Sequence, residues 1–425
     1  MTLLKKQTTS LVLLLVSFTC IGSLLISCGG SSPSTPTIEN AILRSHQGSN
    51  FDYRSSQAGP ESLDGATISE LTLIVNEGPA IGHDGTLYIG TTTGFKALNP
   101  SDLSEKWTVG SDTASFAAPC ITTSNHIITG SSDALYAIQD LGTNKTIFEA
   151  TVDGTVTQVA TDGEGRIYAT TSEKKLYGFT LSETQLTVQF GPITLENAVV
   201  SPILIHENKV ILNAGTEAYI LNKENGTLLK KVTGIDTVKD STDPPAFMTF
   251  VLNPVNNTVI AGNDLALKSI SLSANFTVSN FIDEANHIFL GNVVMDSEGN
   301  AYVPFFQYDL FGSVTTKIGF YTNSSDNETL IRNNLNTTPD DTSIGIDSND
   351  TLYVLTKDNA AGNDYVLHQV KKPYNPSNTS TVTITKPSTD DAPYKVRISM
   401  TNTTIYLSQF NPDTAANDRF IKVSP

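Results

Sequence analysis

The chain has 425 residues, 39% hydrophobic and 16% charged, a composition that can fill a core and argues against disorder. Its formal charge of −17 argues against nucleic acid as a partner, since phosphate backbones are repelled, and against electrostatic attachment to anionic lipid. Thr, Ser and Asn are abundant and Val, Ile and Leu recur in short runs, which favours strands over helices.

The first 27 residues read as a secretory leader. Lys5 and Lys6 form a short positive region, and an interrupted apolar stretch runs through 11–16 and 21–26. No basic cluster follows as a stop-transfer signal, so a spanning helix is the weaker reading. Leu25-Ile26-Ser27-Cys28 resembles the lipobox of bacterial lipoproteins. The resemblance implies cleavage after Ser27 and lipid on Cys28, with two or three acyl chains giving stable membrane attachment. Residues 29–37, rich in Gly, Ser and Pro, then read as a flexible tether. By the Gram-negative sorting pattern, Gly29 rather than Asp after the cysteine points to the outer membrane. Cys20 leaves with the leader and Cys28 is lipidated, so Cys120 stands alone and is expected as a small buried apolar residue.

Beyond the tether a unit repeats. Pro79-Ala-Ile-Gly-His-Asp-Gly-Thr-Leu-Tyr88-Ile-Gly90 reads as strand, tight turn, strand. A turn at Thr93-Gly94, a strand at 95–99 and a strand at 105–109 complete a four-stranded meander. Seven more units follow, with equivalent second-strand positions at Tyr88, Ile128, Tyr168, Ile211, Val259, Tyr302, Tyr353 and Tyr406. Their spacing of 40 to 53 residues, with four short strands each, predicts an all-β propeller of about eight blades, with seven as the alternative. A row of sandwiches would need about 100 residues per unit. The eighth unit ends one strand short, and Leu71-Thr-Leu-Ile-Val75 is expected to complete it and close the ring. The domains expected are a signal peptide at 1–27, a lipidated cysteine with tether and N-terminal extension at 28–69, and the propeller at 70–425.

The repeat of proline, Asp-Gly, Leu-Tyr, Gly and Ala-Leu-Asn, clearest over 79–222, resembles the quinoprotein (PQQ-like) propeller repeat. That superfamily holds quinone-dependent alcohol dehydrogenases and a non-enzymatic lipoprotein, the BamB-type subunit of the outer-membrane β-barrel assembly machinery. The dehydrogenases use adjacent cysteines, a tryptophan floor and a calcium site. This chain has no adjacent cysteines, only Trp107, and no identifiable ligand set, so no cofactor and no catalytic residues are expected.

The other chemistry-bearing residues have plainer readings. His46, His83, His126, His206, His287 and His368 lack metal-site spacing and read as surface turn residues. The Asp162, Asp296 and Asp347 loops faintly resemble calcium loops but lack the terminal glutamate, and read as hairpin turns. The Asn-x-Ser/Thr triplets at Asn144, Asn225, Asn275, Asn336 and Asn402 follow from composition. Two segments could meet a partner: the connection at 233–245, and the aromatic run with Phe305, Phe306, Tyr308 and Phe311. The function expected is a lipid-anchored, non-catalytic envelope scaffold that binds protein, in outer-membrane protein assembly. The alternatives are a propeller using its central funnel to bind a carbohydrate or small ligand or to hydrolyse one, and a surface-exposed adhesin.

Overall fold

A computed structural model describes residues 55, 58–72, 78–91, 93–110, 116–162, 164–199, 201–235, 248–263, 267–282, 287–289, 293–308, 314–322, 325–335, 343–358, 364–372, 374, 379–385, 395–410 and 418–425. At 248–249, 263, 287–289, 306–308, 314–317, 322, 325–335, 357–358, 395, 397 and 410 the description covers the backbone alone. Every regular element among them is a strand, and no helix there is long and apolar enough to cross a membrane. Hydrogen bonding gathers the strands into seven antiparallel sheets, so the chain folds as a seven-bladed β-propeller, the smaller of the two counts left open by the sequence. Five sheets have four strands, one has five and one has six.

The eight sequence units are nevertheless all recognisable, because units two and three share the six-stranded blade. Two long strands, His126–Asp140 and Lys145–Thr161, each serve both the inner and the outer part of that sheet. Both strands change register, near Ser132 and near Val156, where Asp133 and Gly154 take positive φ. Packing follows the units rather than the sheets. Eight apolar clusters each join one unit to the next, from Phe95 and Trp107 against Ile127 and Ile138, round to Tyr406 and Phe420 against Leu87 and Leu98. The last cluster couples unit eight back to unit one, so the ring is closed.

Within a unit the strands run a, b, c, d. The b strands are almost wholly buried, as in Leu87–Thr91, because both faces meet a neighbouring unit. The d strands are largely exposed, as in Leu186–Thr194 and Leu228–Val232, and form the outer edge. Antiparallel order puts every a–b and c–d turn at one end of the ring and every b–c turn at the other.

Closure follows the expected principle with a shifted strand. The closing strand is Thr67–Thr72, paired antiparallel with Arg419–Ser424 from Thr67↔Ser424 to Thr72↔Arg419. It starts four residues before the apolar run at 71–75, and residues 73–75 of that run lie outside the described residues. The reason is its outer position: a d strand has one edge and most of one face in water, so a polar TISELT segment suits it. The first propeller strand thus begins at Thr67 rather than at residue 70. Arg419 fastens the joint. Its guanidinium meets both Glu70 carboxylate oxygens at 3.1 and 3.0 Å, the Gln409 side-chain oxygen at 3.0 Å and the Thr385 carbonyl at 3.0 Å.

Candidate functional site

The a–b turns are built by one device. In units three, six and seven an aspartate carboxylate accepts the backbone N–H groups two and four residues on. Asp162 receives Glu164 and Arg166 at 2.9 Å each, Asp296 receives Glu298 at 3.0 Å and Asn300 at 2.8 Å, and Asp347 receives Asn349 and Thr351 at 2.8 Å. The third residue after the aspartate takes positive φ, supplied by Gly165, Gly299 and Asp350. Thr122 does the same work in unit two, receiving His126 N–H at 3.0 Å. One oxygen of each aspartate is therefore committed to its own turn, which explains the resemblance to calcium loops. Among the described residues no group of three or more His, Cys, Asp or Glu is placed to hold a metal ion.

The second carboxylate oxygen faces the next unit. Lys223 of unit four lies 3.5 Å from Asp162, and Lys372 of unit seven lies 3.4 Å from Asp296 and 2.9 Å from Asp350. Burial pulls the Lys372 ammonium down, but the hydrogen bond to Asp350 and the charge of Asp296 outweigh it and hold it above its usual value. The b-strand tyrosines join the same contacts. Tyr88 donates to Asp140 of unit two at 2.8 Å, Tyr168 to the Lys223 carbonyl at 2.9 Å, and Tyr302 to Asp296 at 2.9 Å. Burial first, with nearby carboxylates adding to it, pushes the Tyr88, Tyr168 and Tyr302 hydroxyls above the ordinary phenol range, so they remain donors. Trp107 belongs to this set: its indole N–H donates to Asp140 at 3.1 Å and its ring lies 5.8 Å from Tyr88. Tyr88, Tyr168 and Trp107 thus clamp consecutive units, while Tyr302 holds its own turn.

The residues expected at sites fall out as follows. Ser27 and Cys28 lie outside the described residues, as do Phe311 and 236–245 of the connection at 233–245. Phe305 is fully buried in the core between units five and six, so it leaves the candidate partner surface. Phe306 and Tyr308 belong by backbone to the strand Ala301–Tyr308, and their side chains are outside the described residues. Cys120 is fully buried, as expected. The histidines correct the surface reading in two places: His126 and His368 are buried, bonded to Ser124 and Thr356, while His83 is exposed and His206 half-buried. His46 is outside the described residues, and His287 is placed by backbone alone.

Two surface features carry potential for recognition. Unit six departs from its neighbours at the b–c end. Its b strand has eight residues and its c strand, Val314–Thr322, has nine, paired out to Tyr308↔Val314. An additional strand, His287–Phe289, pairs with 305–307 on the other side. This strand lies on the same edge as Val294–Met295, so the sheet is lengthened and carries 305–308 to the b–c end of the ring. The second feature was invisible in the sequence. Val188, Leu228 and Leu229 are 45%, 50% and 44% exposed on the d strands of units three and four. Leu228 pairs with Leu221, which faces unit three, and Phe190, two residues from Val188, packs against the Gly226 turn of unit four. Val188 pairs with Phe179 across a register shift that separates it from Phe190, so it lies on the face toward unit two, while Leu228 lies on the face toward unit three. Only register shows this, because an exposed leucine and a buried one look alike in sequence.

No protein-family model matches the chain, and no curated protein matches it in sequence. Solved structures match its fold. The computationally designed Ika8 protein aligns with a TM-score of 0.53 at 9% identity, over 86% of this chain and 98% of that one. BamB from Moraxella catarrhalis aligns with a TM-score of 0.50 at 10% identity, over 84% of this chain and 100% of that one. The extracellular domain of the proposed hybrid two component system BT4673 from B. thetaiotaomicron aligns with a TM-score of 0.46 at 12% identity, over 80% of this chain. This chain spans 50% of that domain. At such identities the likeness is one of fold, and it supports the resemblance seen in the repeat as far as the β-propeller.

Proposed function

We propose that this protein is a lipid-anchored envelope scaffold that binds another protein through the b–c end of its ring. The observation that carries the reading is the lengthened unit-six sheet, which brings the aromatic segment at 304–308 to that end. The lipobox-like Leu25-Ile26-Ser27-Cys28 supports the anchor, and the propeller likeness to BamB supports a role beside outer-membrane protein assembly. The clamped carboxylates support a non-catalytic ring, because their acceptor positions serve turns and neighbouring units. A rigid ring with many loops offers docking surface, and its negative charge suits a basic partner.

A photo-crosslinking residue at Tyr308, in intact cells, tests the reading. Crosslinks to one envelope protein, absent when the same probe replaces Thr187, are expected. Capture of a glycan or small ligand with no protein would overturn it. The anchor is tested separately by palmitate labelling, which Cys28→Ser should abolish.

A further inference from the structure

The eighth unit joins strands from opposite sides of the sequence: Thr67–Thr72 serves as d strand to the c strand Arg419–Ser424, so no c–d turn links them. Elsewhere the c–d turn has a defined task. The b-strand tyrosine of one unit reaches the c–d turn of the next, as Tyr88 does with Asp140 and Tyr168 with the Lys223 carbonyl. In unit seven the matching tyrosine is Tyr353, and it finds a partner all the same. Its hydroxyl faces the Pro60 carbonyl at 3.4 Å, and the Gln369 amide donates to that same carbonyl. The Gly59 N–H donates to the free oxygen of Asp347 at 2.8 Å, where Lys223 or Lys372 stands in other units. Residues 58–66 thus lie where the missing turn would be.

The fit is specific. A methyl group on Gly59 would overlap the Tyr353 hydroxyl. Leu63 is fully buried in the cluster between units seven and eight, beside Tyr353, Ile398 and Val423. Its N–H donates to Ser380 at 3.0 Å, and Ser55 N–H donates to the Ile346 carbonyl at 2.7 Å. None of these contacts is a strand pairing. The segment can leave without breaking the ladder between Thr67–Thr72 and Arg419–Ser424.

We propose that Ser55 and residues 58–66 belong to a strap that replaces the missing c–d turn, seals the seam between units seven and eight, and opens separately from the ring. Opening uncovers the Leu63 socket and the Asp347 turn while the blades remain paired. The strap directly precedes the closing strand, so a pull on the chain before Ser55 reaches it before any strand.

Hydrogen–deuterium exchange on the full chain, with peptides resolved by mass spectrometry, tests this. In the unmodified protein the 55–66 peptide should exchange at least about tenfold faster than 67–72, since it opens locally. In Gly59→Ala and Leu63→Ala the 55–66 peptide should lose protection by a further factor of about ten, and 344–351 should follow it. The peptides at 166–181 in unit three should not change. Equal protection of 55–66 and 67–72, lost together in both variants, would show that strap and strand are one unit and overturn the proposal. Unchanged protection of 55–66 in both variants would overturn it too.

Discussion

Replacing Arg419 by methionine tests how the ring is closed. The side chain is 9% exposed and its partner Glu70 is 37% exposed. Methionine keeps the apolar stem but strands the Thr385 carbonyl and the Gln409 side-chain oxygen, both of which face the guanidinium in the intact protein. Breaking a buried ion pair costs about 3–5 kcal/mol. Glu70 is partly in water and recovers solvation, which places the expected loss near the lower limit, about 3 kcal/mol. An unfolding entropy of about 2.1 cal/mol/K per residue gives roughly 0.75 kcal/mol/K over 67–425, so the melting temperature should fall by about 4 °C. Glu70→Gln retains a hydrogen-bond acceptor and should cost about 1 kcal/mol or less. Differential scanning calorimetry of both variants reads the difference. Equal shifts for the two would refute the argument, because they would mean that the two neutral acceptors contribute nothing.

Three further outcomes follow from the packing. Trp107, the one tryptophan, is 6% exposed, so its fluorescence should be short-wavelength in the native state and shift red when units one and two separate; Trp107→Phe should cost about 1–2 kcal/mol through Asp140. Gly226 has φ +70 and an added methyl would meet Ile193 and Phe190, so Gly226→Ala should cost about 1–3 kcal/mol in urea unfolding. Burial holds His126 and His206 below their ordinary value of 6.5, so the folded state binds fewer protons than the unfolded state in the window below that value. Their contribution is present above pH 6.5 and lost as pH falls through the folded values. Urea midpoints should drop between pH 7 and 5, and by less in His126→Gln; an equal drop in that variant removes His126 from the explanation.

The parts of this fold that could be read from sequence are those that repeat. The turn aspartates and the b-strand tyrosines recur because each turn must saturate its own N–H groups and each b strand is buried on both faces. The parts that could not be read are those where exposure relaxes the pattern. The sequence points to the apolar run at 71–75 as the closing strand, whereas Thr67–Thr72 lies at an outer edge where alternation is no longer required. Among its described positions the 55–66 segment offers Leu63 as its one large apolar side chain, so little in its composition marks it as core. The merging of units two and three depends on local bends at Asp133 and Gly154, which leave both units complete in sequence. The rim residues Val188 and Leu228 needed the register of their sheets, and the anchor motif was readable because it is a local code.

The pairing of Thr67–Thr72 with Arg419–Ser424 also sets an order of events during synthesis. Glu70 is made 349 residues before Arg419, so the first strand of the ring waits for a partner made after all the intervening units. Bringing two such distant points together in a free chain costs about 5 kcal/mol of loop entropy. The intervening units reduce that cost by stacking in turn and carrying the growing end round. Until then the nascent protein is an open fan with an unpaired edge at each side, the state in which strands recruit wrong neighbours. The waiting edge is polar TISELT, a segment with little to offer another chain.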